Sequence, residues 1–170
     1  MEKLDRFFVA NKMNYIKGDN RPKVECILCS IVENDPQVDI LDLYRGENFI
    51  ITLNLYPYNP GHLLIFPKRH IETITPFTKE EILELHELEL LSFEVLTKEY
   101  NTTSFNIGYN IGYASGASIK HLHMHIVPRY ERELGFAEII SGTKVIAEDP
   151  RNTLKRLRKA FDEKALEKQS

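Results

Sequence analysis

A long stretch of the chain, from Thr78 to about Tyr100, has apolar residues at helical spacing among many glutamates. This spacing predicts one long helix with a single buried stripe. Thr78 and Glu81 match a capping box at its start, and Phe77 and Ile82 match a hydrophobic staple. We expect the stripe to contain Ile82, Leu85, Leu88 and Leu96, and the water-facing positions to include Glu80, Glu84, His86 and Glu87.

Shorter apolar runs, bounded by proline and glycine, are typical of strands. The five predicted strands are Leu41–Tyr44, Phe49–Leu55, His62–Phe66, Phe105–Asn110 and Lys120–Val127. A second helix is predicted to begin at Pro150, with Asp149 as its cap, because proline at the first helical position loses no hydrogen bond. The order of these elements predicts an α+β fold with an antiparallel sheet of about five strands, one long helix and a C-terminal helix.

Length and composition are those of one globular domain. We assign residues 1–170 to a single domain, with an N-terminal extension over about residues 1–25 and a tail over about residues 163–170 that we expect to fray. The formal net charge of −3 disfavours a nucleic-acid partner. No apolar run is long enough to cross a bilayer, and the N-terminus lacks the pattern of a secretory signal. We therefore expect a cytoplasmic protein without a nucleic-acid or membrane partner.

Three of the six histidines lie in the heptapeptide from His121 to Val127, where polar and apolar residues alternate strictly. Because side chains alternate across a strand, His121, His123 and His125 are predicted to share one face. The predicted core-facing positions are Leu122, Met124 and Ile126. Packing does not readily explain three imidazoles on one face, so the pattern favours either metal ligation or phosphate chemistry.

A loop that contains glycine and serine, Asn110–Ser118, precedes the histidine heptapeptide. Glycine allows close backbone approach and positive φ, so amides of this loop can hold an anion, with the Ser118 hydroxyl as a further donor. A simple hairpin turn is the alternative interpretation of the same residues.

The two cysteines of the chain form a Cys-x-x-Cys pair, Cys26 and Cys29. A structural disulfide is not expected in a reducing compartment, which leaves metal binding and redox chemistry. A redox pair of the thioredoxin type would follow a strand, whereas this pair follows a polar connection. Metal binding is therefore favoured over redox chemistry.

The heptapeptide resembles the signature of the histidine-triad superfamily, His-φ-His-φ-His-φ-φ with φ apolar. Flanking segments are also similar to its fragile-histidine-triad and diadenosine-polyphosphate branches, namely Phe105–Gly112, Gly116–Ser118 and Val127–Arg129. Three others resemble its ATP adenylyltransferase (diadenosine tetraphosphate phosphorylase) branch, namely Lys12–Tyr15, Leu53–Leu63 and Ser141–Ile146. The resemblance covers about Lys12 to Arg158.

The resemblance implies a role for each matching position. His123 would be the nucleophile that takes the α-phosphate of a nucleotide as a covalent adduct, and His125 would contact the phosphate and assist the leaving group. His62 would be a fourth histidine lining the pocket, and Asn54 would bind the ribose. The implied nucleotide-binding loop positions are Asn110, Gly116, Ala117 and Ser118.

The resemblance also implies a structural zinc ion and a homodimer. The zinc ligands would be Cys26, Cys29, His70 and His121, a set of two thiolates and two imidazoles that suits a structural zinc site. The alternative is that the cysteines are reduced and merely buried. The dimer would form through the long helix and an edge of the sheet.

These features predict a nucleotidyltransferase that acts on diadenosine polyphosphates through an AMP-histidine intermediate, with phosphate as acceptor. A neutral imidazole is a good nucleophile when a hydrogen bond fixes its tautomer, and loop amides, Ser118 and a protonated His125 would stabilise the phosphate charge. The spacing from Ser118 to His121 is that of hydrolases, so water is the alternative acceptor. The pattern is also compatible with a catalytic zinc held by the three heptapeptide histidines, or with a non-catalytic nucleotide-binding protein.

Overall fold

The computed structural model describes residues 22–131 and 148–167. Its helices are α1 (Ile27–Val32), α2 (Lys79–Tyr100) and α3 (Pro150–Glu167). Its strands are β1 (Asp42–Arg45), β2 (Phe49–Leu53), β3 (Leu63–Pro67), β4 (Ser104–Tyr109) and β5 (Met124–Arg129). A short 3₁₀ turn, Tyr113–Ser115, lies between β4 and β5.

The five strands form one antiparallel sheet in the order β1-β2-β3-β5-β4. Apolar side chains of the sheet pack with α2 and α3 in one core. A smaller apolar cluster lies between α1 and the sheet. The predicted α+β fold, with one long helix and a C-terminal helix, is confirmed.

Helix α2 begins with the predicted capping box, because Thr78 accepts a hydrogen bond from the Glu81 amide and Glu81 accepts one from the Thr78 amide. The prediction for Ile82 was wrong, since its side chain is 55% exposed. The buried position of the first turn is Glu81, which forms a two-pronged ion pair with Arg69 at 2.7 and 2.8 Å. Glu84, predicted to face water, is half-buried and accepts hydrogen bonds from the Asn48 amides.

Strand β5 begins at Met124, later than the predicted Lys120. Its pairing with β3 ends where Ile65 lies opposite Met124, and the same register continued further would bring Leu122 opposite Pro67, which has no N–H to donate. The Leu122 amide instead donates to the Ile71 carbonyl at 2.7 Å. The predicted core-facing residues are all buried, namely Leu122, Met124 and Ile126, but His121 and His123 are buried as well, so burial alone does not separate the two faces.

Helix α3 begins at Pro150 as predicted, and the Asp149 carboxylate accepts a hydrogen bond from the Arg151 amide. The helix extends to Glu167, into the segment expected to fray. None of the described helices is long and apolar enough to cross a membrane. The segments Lys12–Tyr15 and Ser141–Ile146, most of the predicted N-terminal extension and residues 168–170 lie outside the described residues.

Candidate active site

His123 lies just before β5 and is only 5% exposed. Its Nδ1 donates a hydrogen bond to the His121 carbonyl, with 2.8 Å between the two atoms. A neutral imidazole has one N–H, so this bond leaves the lone pair on Nε2. Burial lowers the pKa of His123, which keeps the ring neutral near pH 7. The ring therefore has the tautomer and the charge state that a nucleophile requires.

His125 adjoins His123, and His62, the fourth histidine that the resemblance implies for the pocket, adjoins His125. The ring centroids of His123 and His125 are 4.9 Å apart, and those of His62 and His125 are 5.1 Å apart. The Nε2 atom of His62 lies 2.9 Å from the Nδ1 atom of His125, which is hydrogen-bond distance. The structure thus brings these three imidazoles into one group.

The segment that precedes β3 holds His62 in a fully buried position. The Tyr58 amide donates to His62 Nδ1 at 3.0 Å, and the His62 amide donates to the Asn59 carbonyl at 3.1 Å. The Asn59 side chain, also buried, donates to the Pro128 carbonyl of β5 at 2.6 Å. Gly61 has φ +74°, and a Cβ there would lie 2.7 Å from the Tyr100 ring, so this turn requires glycine.

Asn54 contacts the histidine group, although its predicted partner is a ribose. Its Oδ1 accepts from the Tyr56 amide at 2.9 Å, and its Nδ2 lies 3.3 Å from His62 Nδ1. Tyr58, which we did not predict as a site residue, lies with its ring centroid 4.9 Å from that of His62 and 5.9 Å from that of His125. An aromatic residue in the proline-rich turn just before His62 is the signal that could have identified it.

The glycine and serine loop lies at the end of the sheet where His123 lies. Strand β4 ends with Tyr109 opposite Met124, so Asn110 follows at that end. Gly112 and Gly116 have φ of +79° and +82°, and no heavy atom lies within 4 Å of a Cβ built at either one. The candidate loop residues Gly116 and Ser118 are exposed, Asn110 and Ala117 are half-buried, and the loop turns through the Tyr113–Ser115 3₁₀ turn.

The four predicted metal ligands form a second group. One donor atom from each residue lies within 4.8 Å of the others, and the four residues are Cys26, Cys29, His70 and His121. His121 Nδ1 lies 3.5 Å from the Cys26 sulfur and 3.4 Å from the Cys29 sulfur, and His70 Nδ1 lies 3.3 Å from the Cys29 sulfur. This cluster could hold a metal ion.

The distances between the ligand atoms and the tautomer of His121 suit a tetrahedral metal. Metal–sulfur bonds of about 2.3 Å and metal–nitrogen bonds of about 2.0–2.1 Å give tetrahedral edges of about 3.3–3.8 Å, which match the observed distances. His121 Nε2 donates to the Pro67 carbonyl at 2.8 Å, so Nδ1 presents its lone pair to the two sulfurs. Burial lowers the pKa of His121 to about 4, which keeps its ring neutral, whereas burial raises the pKa of the Cys29 thiol to about 12, so a bound metal would have to displace the thiol proton.

The histidines of the heptapeptide therefore divide between two sites. The His121 ring packs beside His70, with centroids 4.7 Å apart, while His123 and His125 belong to the other group. Among residues 22–131 and 148–167, the Cys/His cluster is the one group of such ligands that could hold a metal ion. The geometry disagrees with the interpretation in which all three heptapeptide histidines share one catalytic metal.

Comparisons with known proteins agree with the motif. The family model for the HIT domain matches residues 34–132. The AP-4-A phosphorylase of Mycobacterium tuberculosis is 34% identical over 161 residues, which cover 89% of this chain and 82% of that protein. The asymmetrical bis(5'-nucleosyl)-tetraphosphatase of Schizosaccharomyces pombe is 28% identical over 97 residues, which cover 57% of this chain and 53% of that protein.

A solved structure is also similar. The crystal structure of a Zn-bound histidine triad family protein from Mycobacterium smegmatis has a TM-score of 0.68 and 25% identity, and it covers 86% of this chain and 98% of that chain. The histidine-triad resemblance stated from the sequence is thereby confirmed. Because the family model matches more than half of the residues, this chain belongs to the HIT domain family.

Proposed function

We propose that this chain is a nucleotidyltransferase that uses His123 to transfer AMP from a diadenosine polyphosphate, such as diadenosine tetraphosphate, to inorganic phosphate. The observation on which this depends is the hydrogen bond from His123 Nδ1 to the His121 carbonyl, which leaves Nε2 as the nucleophilic atom of a buried, neutral ring. The similarity to a protein named AP-4-A phosphorylase over 89% of the chain supports the substrate class.

In the first step, His123 Nε2 attacks the α-phosphorus of diadenosine tetraphosphate. A nitrogen–phosphorus bond forms, the bond from that phosphorus to the bridging oxygen breaks, and ATP leaves with the bond's electron pair. The imidazole then carries AMP, and the hydrogen bond from Nδ1 to the His121 carbonyl stabilises the positive charge on the ring. A covalent intermediate divides one difficult transfer into two easier ones.

In the second step, an oxygen of inorganic phosphate attacks the same phosphorus, the nitrogen–phosphorus bond breaks, and ADP leaves. The net reaction converts diadenosine tetraphosphate and phosphate into ADP and ATP. With water in place of phosphate, the products are AMP and ATP. The tetraphosphatase relative and the short spacing from Ser118 to His121 favour water as the second candidate acceptor.

Charge stabilisation at the phosphorus is the main requirement of both steps. We assign it to His125, which adjoins His123, and to the backbone amides and hydroxyl of the loop from Asn110 to Ser118. The two glycines with positive φ leave open space beside the loop backbone, which suits the approach of an anion. Asn54 would reach the ribose from its place beside His62.

We propose that Cys26, Cys29, His70 and His121 hold a zinc ion. The edge lengths of the cluster and its two-thiol, two-imidazole composition support zinc, as does the similarity to a protein whose crystal structure is Zn-bound. Zinc in such a closed site supplies a structural cross-link rather than a reacting group. These residues would then connect α1, the end of β3 and the start of the heptapeptide.

We also propose a cytoplasmic homodimer. Two unpaired thiols in a metal-ligand geometry suit a reducing compartment.

Strand β4 is at the sheet edge in the described part of the chain, and its Phe105 packs on Phe93 of α2 with ring centroids 5.0 Å apart. Leu90, one helical turn before Phe93, is 44% exposed, and Ile107, two residues after Phe105 on the strand, is 54% exposed. This adjoining apolar surface on helix and edge strand supports association with a second copy.

The test is incubation with diadenosine tetraphosphate in the presence and absence of inorganic phosphate, with ADP, ATP and AMP resolved. Equal amounts of ADP and ATP that form only with phosphate would support the phosphorylase. AMP and ATP without phosphate would establish water as the acceptor. Binding without turnover by either route would contradict an enzymatic role, and the His123→Ala variant serves as the baseline for background hydrolysis.

A further inference from the structure

The hydrogen bonds around His62 determine where the proton of His125 lies. We infer that His62 is a positioning residue that fixes neutral His125 in the tautomer with its proton on Nε2. His125 then acts as a hydrogen-bond donor to the substrate phosphate without having to become an imidazolium. The inferred donor role rests on the proposed function, whereas the tautomer itself is a property of the resting protein.

The first link is the backbone amide of Tyr58. An amide N–H can only donate, and its partner, 3.0 Å away, is the Nδ1 atom of His62. That atom must therefore present a lone pair. A neutral imidazole has its single proton on the other nitrogen, so His62 has its proton on Nε2.

The side chain of Asn54 supports the same assignment. The Tyr56 amide donates to Asn54 Oδ1 at 2.9 Å, and this bond identifies the oxygen end of the side-chain amide. The nitrogen end consequently faces His62, 3.3 Å from Nδ1 and 3.4 Å from Nε2. Two donors thus lie near Nδ1, which disfavours a proton on that atom.

The second link is the contact between the two imidazoles. His62 Nε2 lies 2.9 Å from His125 Nδ1, so the proton on His62 Nε2 occupies the space between the two atoms. His125 Nδ1 accepts this bond, and neutral His125 therefore has its own proton on Nε2. The sequence had suggested a protonated His125 as the stabilising group, whereas this chain of bonds provides a donor without a net charge.

The His62 end of this chain of bonds is held in place by buried contacts. His62 is fully buried, its amide donates to the Asn59 carbonyl, and the Asn59 side chain is tied to the Pro128 carbonyl of β5 at 2.6 Å. A 180° flip of the His62 ring would exchange Nδ1 with Cδ2, so it would place a C–H against the Tyr58 amide hydrogen and remove the hydrogen bond to that amide. The tautomer is therefore set by the backbone and does not depend on the substrate.

This arrangement also limits what His125 can do. A relay through His125 would draw on the proton that His62 holds on Nε2, and the Tyr58 amide, which donates to Nδ1, does not release a proton to replace it. His125 is therefore expected to donate a hydrogen bond rather than to relay protons. A donor is sufficient, because the leaving polyphosphate is a stable anion and needs charge stabilisation more than protonation.

Two variants of equal size test the second link, and only one of them reverses it. His62→Gln retains an N–H donor toward His125 Nδ1, whereas His62→Glu replaces it with an acceptor and draws the His125 proton to Nδ1. His86→Gln is the matched control, because His86 lies on the exposed face of α2 and its side chain is 62% exposed. The readouts are the imidazole nitrogen shifts of ¹⁵N-histidine-labelled protein, assigned with a His125→Gln spectrum, and the single-turnover rate of His123 adenylylation.

In the wild-type spectrum we expect the His125 proton on Nε2. At about pH 9, where imidazoles are neutral, we expect His62→Gln to keep that tautomer and adenylylate within about 10-fold of wild type. His62→Glu should shift the proton to Nδ1 and lower the rate by about 100-fold, the range of a lost acid–base or donor group. A wild-type His125 with its proton on Nδ1, or with protons on both nitrogens at this pH, would overturn the inference even if either variant failed to fold.

The same experiments separate this inference from the proposed function. Wild-type protein that has the Nε2 tautomer but forms no adduct with diadenosine tetraphosphate would retain the tautomer assignment and overturn the proposed reaction. Protein that forms the adduct with the Nδ1 tautomer would retain the reaction and overturn the role of His62.

Discussion

His121 and His123 are two residues apart, and the same kind of hydrogen bond suits each of them to a different proposed role. Each imidazole donates one N–H to a backbone carbonyl, at 2.8 Å in both cases. His121 donates from Nε2 to the Pro67 carbonyl, so its Nδ1 faces the cysteine sulfurs. His123 donates from Nδ1 to the His121 carbonyl, so its Nε2 is the open nitrogen. The position of the carbonyl, rather than the residue type, determines which nitrogen can react.

The rings of His121 and His123 are also both favoured in the neutral form. Burial lowers the pKa of both His121 and His123, and this favours the neutral imidazole in both places. A neutral ring is required both to ligate a metal and to attack phosphorus. The two rings differ in their neighbours. His121 lies beside the thiols of Cys26 and Cys29, whereas His123 lies beside the imidazole of His125.

The largest expected effect comes from the nucleophile. His123→Ala should abolish the covalent adduct and lower turnover of diadenosine tetraphosphate by roughly 10⁴-fold or more, because no other nitrogen occupies that position. Metal content should stay at the wild-type level, since His123 is not in the Cys/His cluster. Product formation and metal analysis on the same preparation check both statements. A loss of metal in this variant would mean that the two sites are not separable.

The next effect concerns the cluster. Removing zinc from the wild type with a chelator should lower the free energy of unfolding by about 2.7 kcal/mol, compared with protein kept at a zinc concentration of about 100 times Kd. Cys29→Ser should start from the low-stability state and show no response to chelator. Denaturant unfolding with and without chelator measures both.

The adduct provides the control for that experiment. Folded Cys29→Ser protein, assayed well below its unfolding midpoint, should still form the adduct on His123, because the cysteine does not contact the reacting ring. A variant that is folded but cannot form the adduct would indicate that the metal takes part in the chemistry.

A smaller effect should come from the ion pair beside the cluster, which joins Arg69 and Glu81. The Arg69–Glu81 pair anchors the segment next to His70, and Arg69 holds the pKa of Glu81 below its usual value. Glu81→Gln should cost about 1 kcal/mol at neutral pH, less than the roughly 1.5–3 kcal/mol of buried hydrogen bonds to charged groups, because the Arg69 side chain is 43% exposed.

The pH dependence of that difference has a definite sign. A lowered pKa in the folded protein means that the carboxylate stabilises the fold above its unfolded pKa, and that this stability is lost as the pH falls through the folded value. The gap between wild type and Glu81→Gln in urea unfolding should therefore be constant near neutrality and close in acid. A gap that widens in acid would contradict the assigned charge state.

The smallest effect should come from His86, which belongs to neither the metal-ligand cluster nor the group of three imidazoles around His123. His86 is exposed on α2, and its nearest charged partner is Glu89 at 3.4 Å. His86→Gln should change stability by less than about 0.5 kcal/mol and leave metal content and adduct formation unchanged. Thermal unfolding and the adduct assay together check this baseline.

Local signals predicted much of the fold and of both sites. The capping box of α2, the proline start of α3 and the buried apolar residues of the heptapeptide follow from spacing and residue type, whereas the four clustered ligands were implied by the family resemblance. The errors have long-range causes. Ile82 is exposed because Arg69 draws Glu81 inward, and Glu84 is half-buried because Asn48 donates to it.

The ring nitrogens of His121 and His62 could not be assigned for the same reason, because they depend on the Pro67 carbonyl and the Tyr58 amide, which are distant in sequence from the heptapeptide. The assignment for His123 depends on the His121 carbonyl, only two residues away, whose direction the residue pattern does not give. Period-two alternation places a side chain on a face, but it does not state which atom of that side chain meets a donor or an acceptor.

The most direct test of the account is to trap the intermediate. Wild-type protein, with and without chelator, is mixed with diadenosine tetraphosphate in the absence of phosphate, quenched in alkaline denaturant and digested, and its peptides are identified by mass. We expect one AMP group, on the peptide that contains the heptapeptide and localised to His123, in both samples. An AMP group on another histidine, or its appearance only in the metal-loaded sample, would contradict the account.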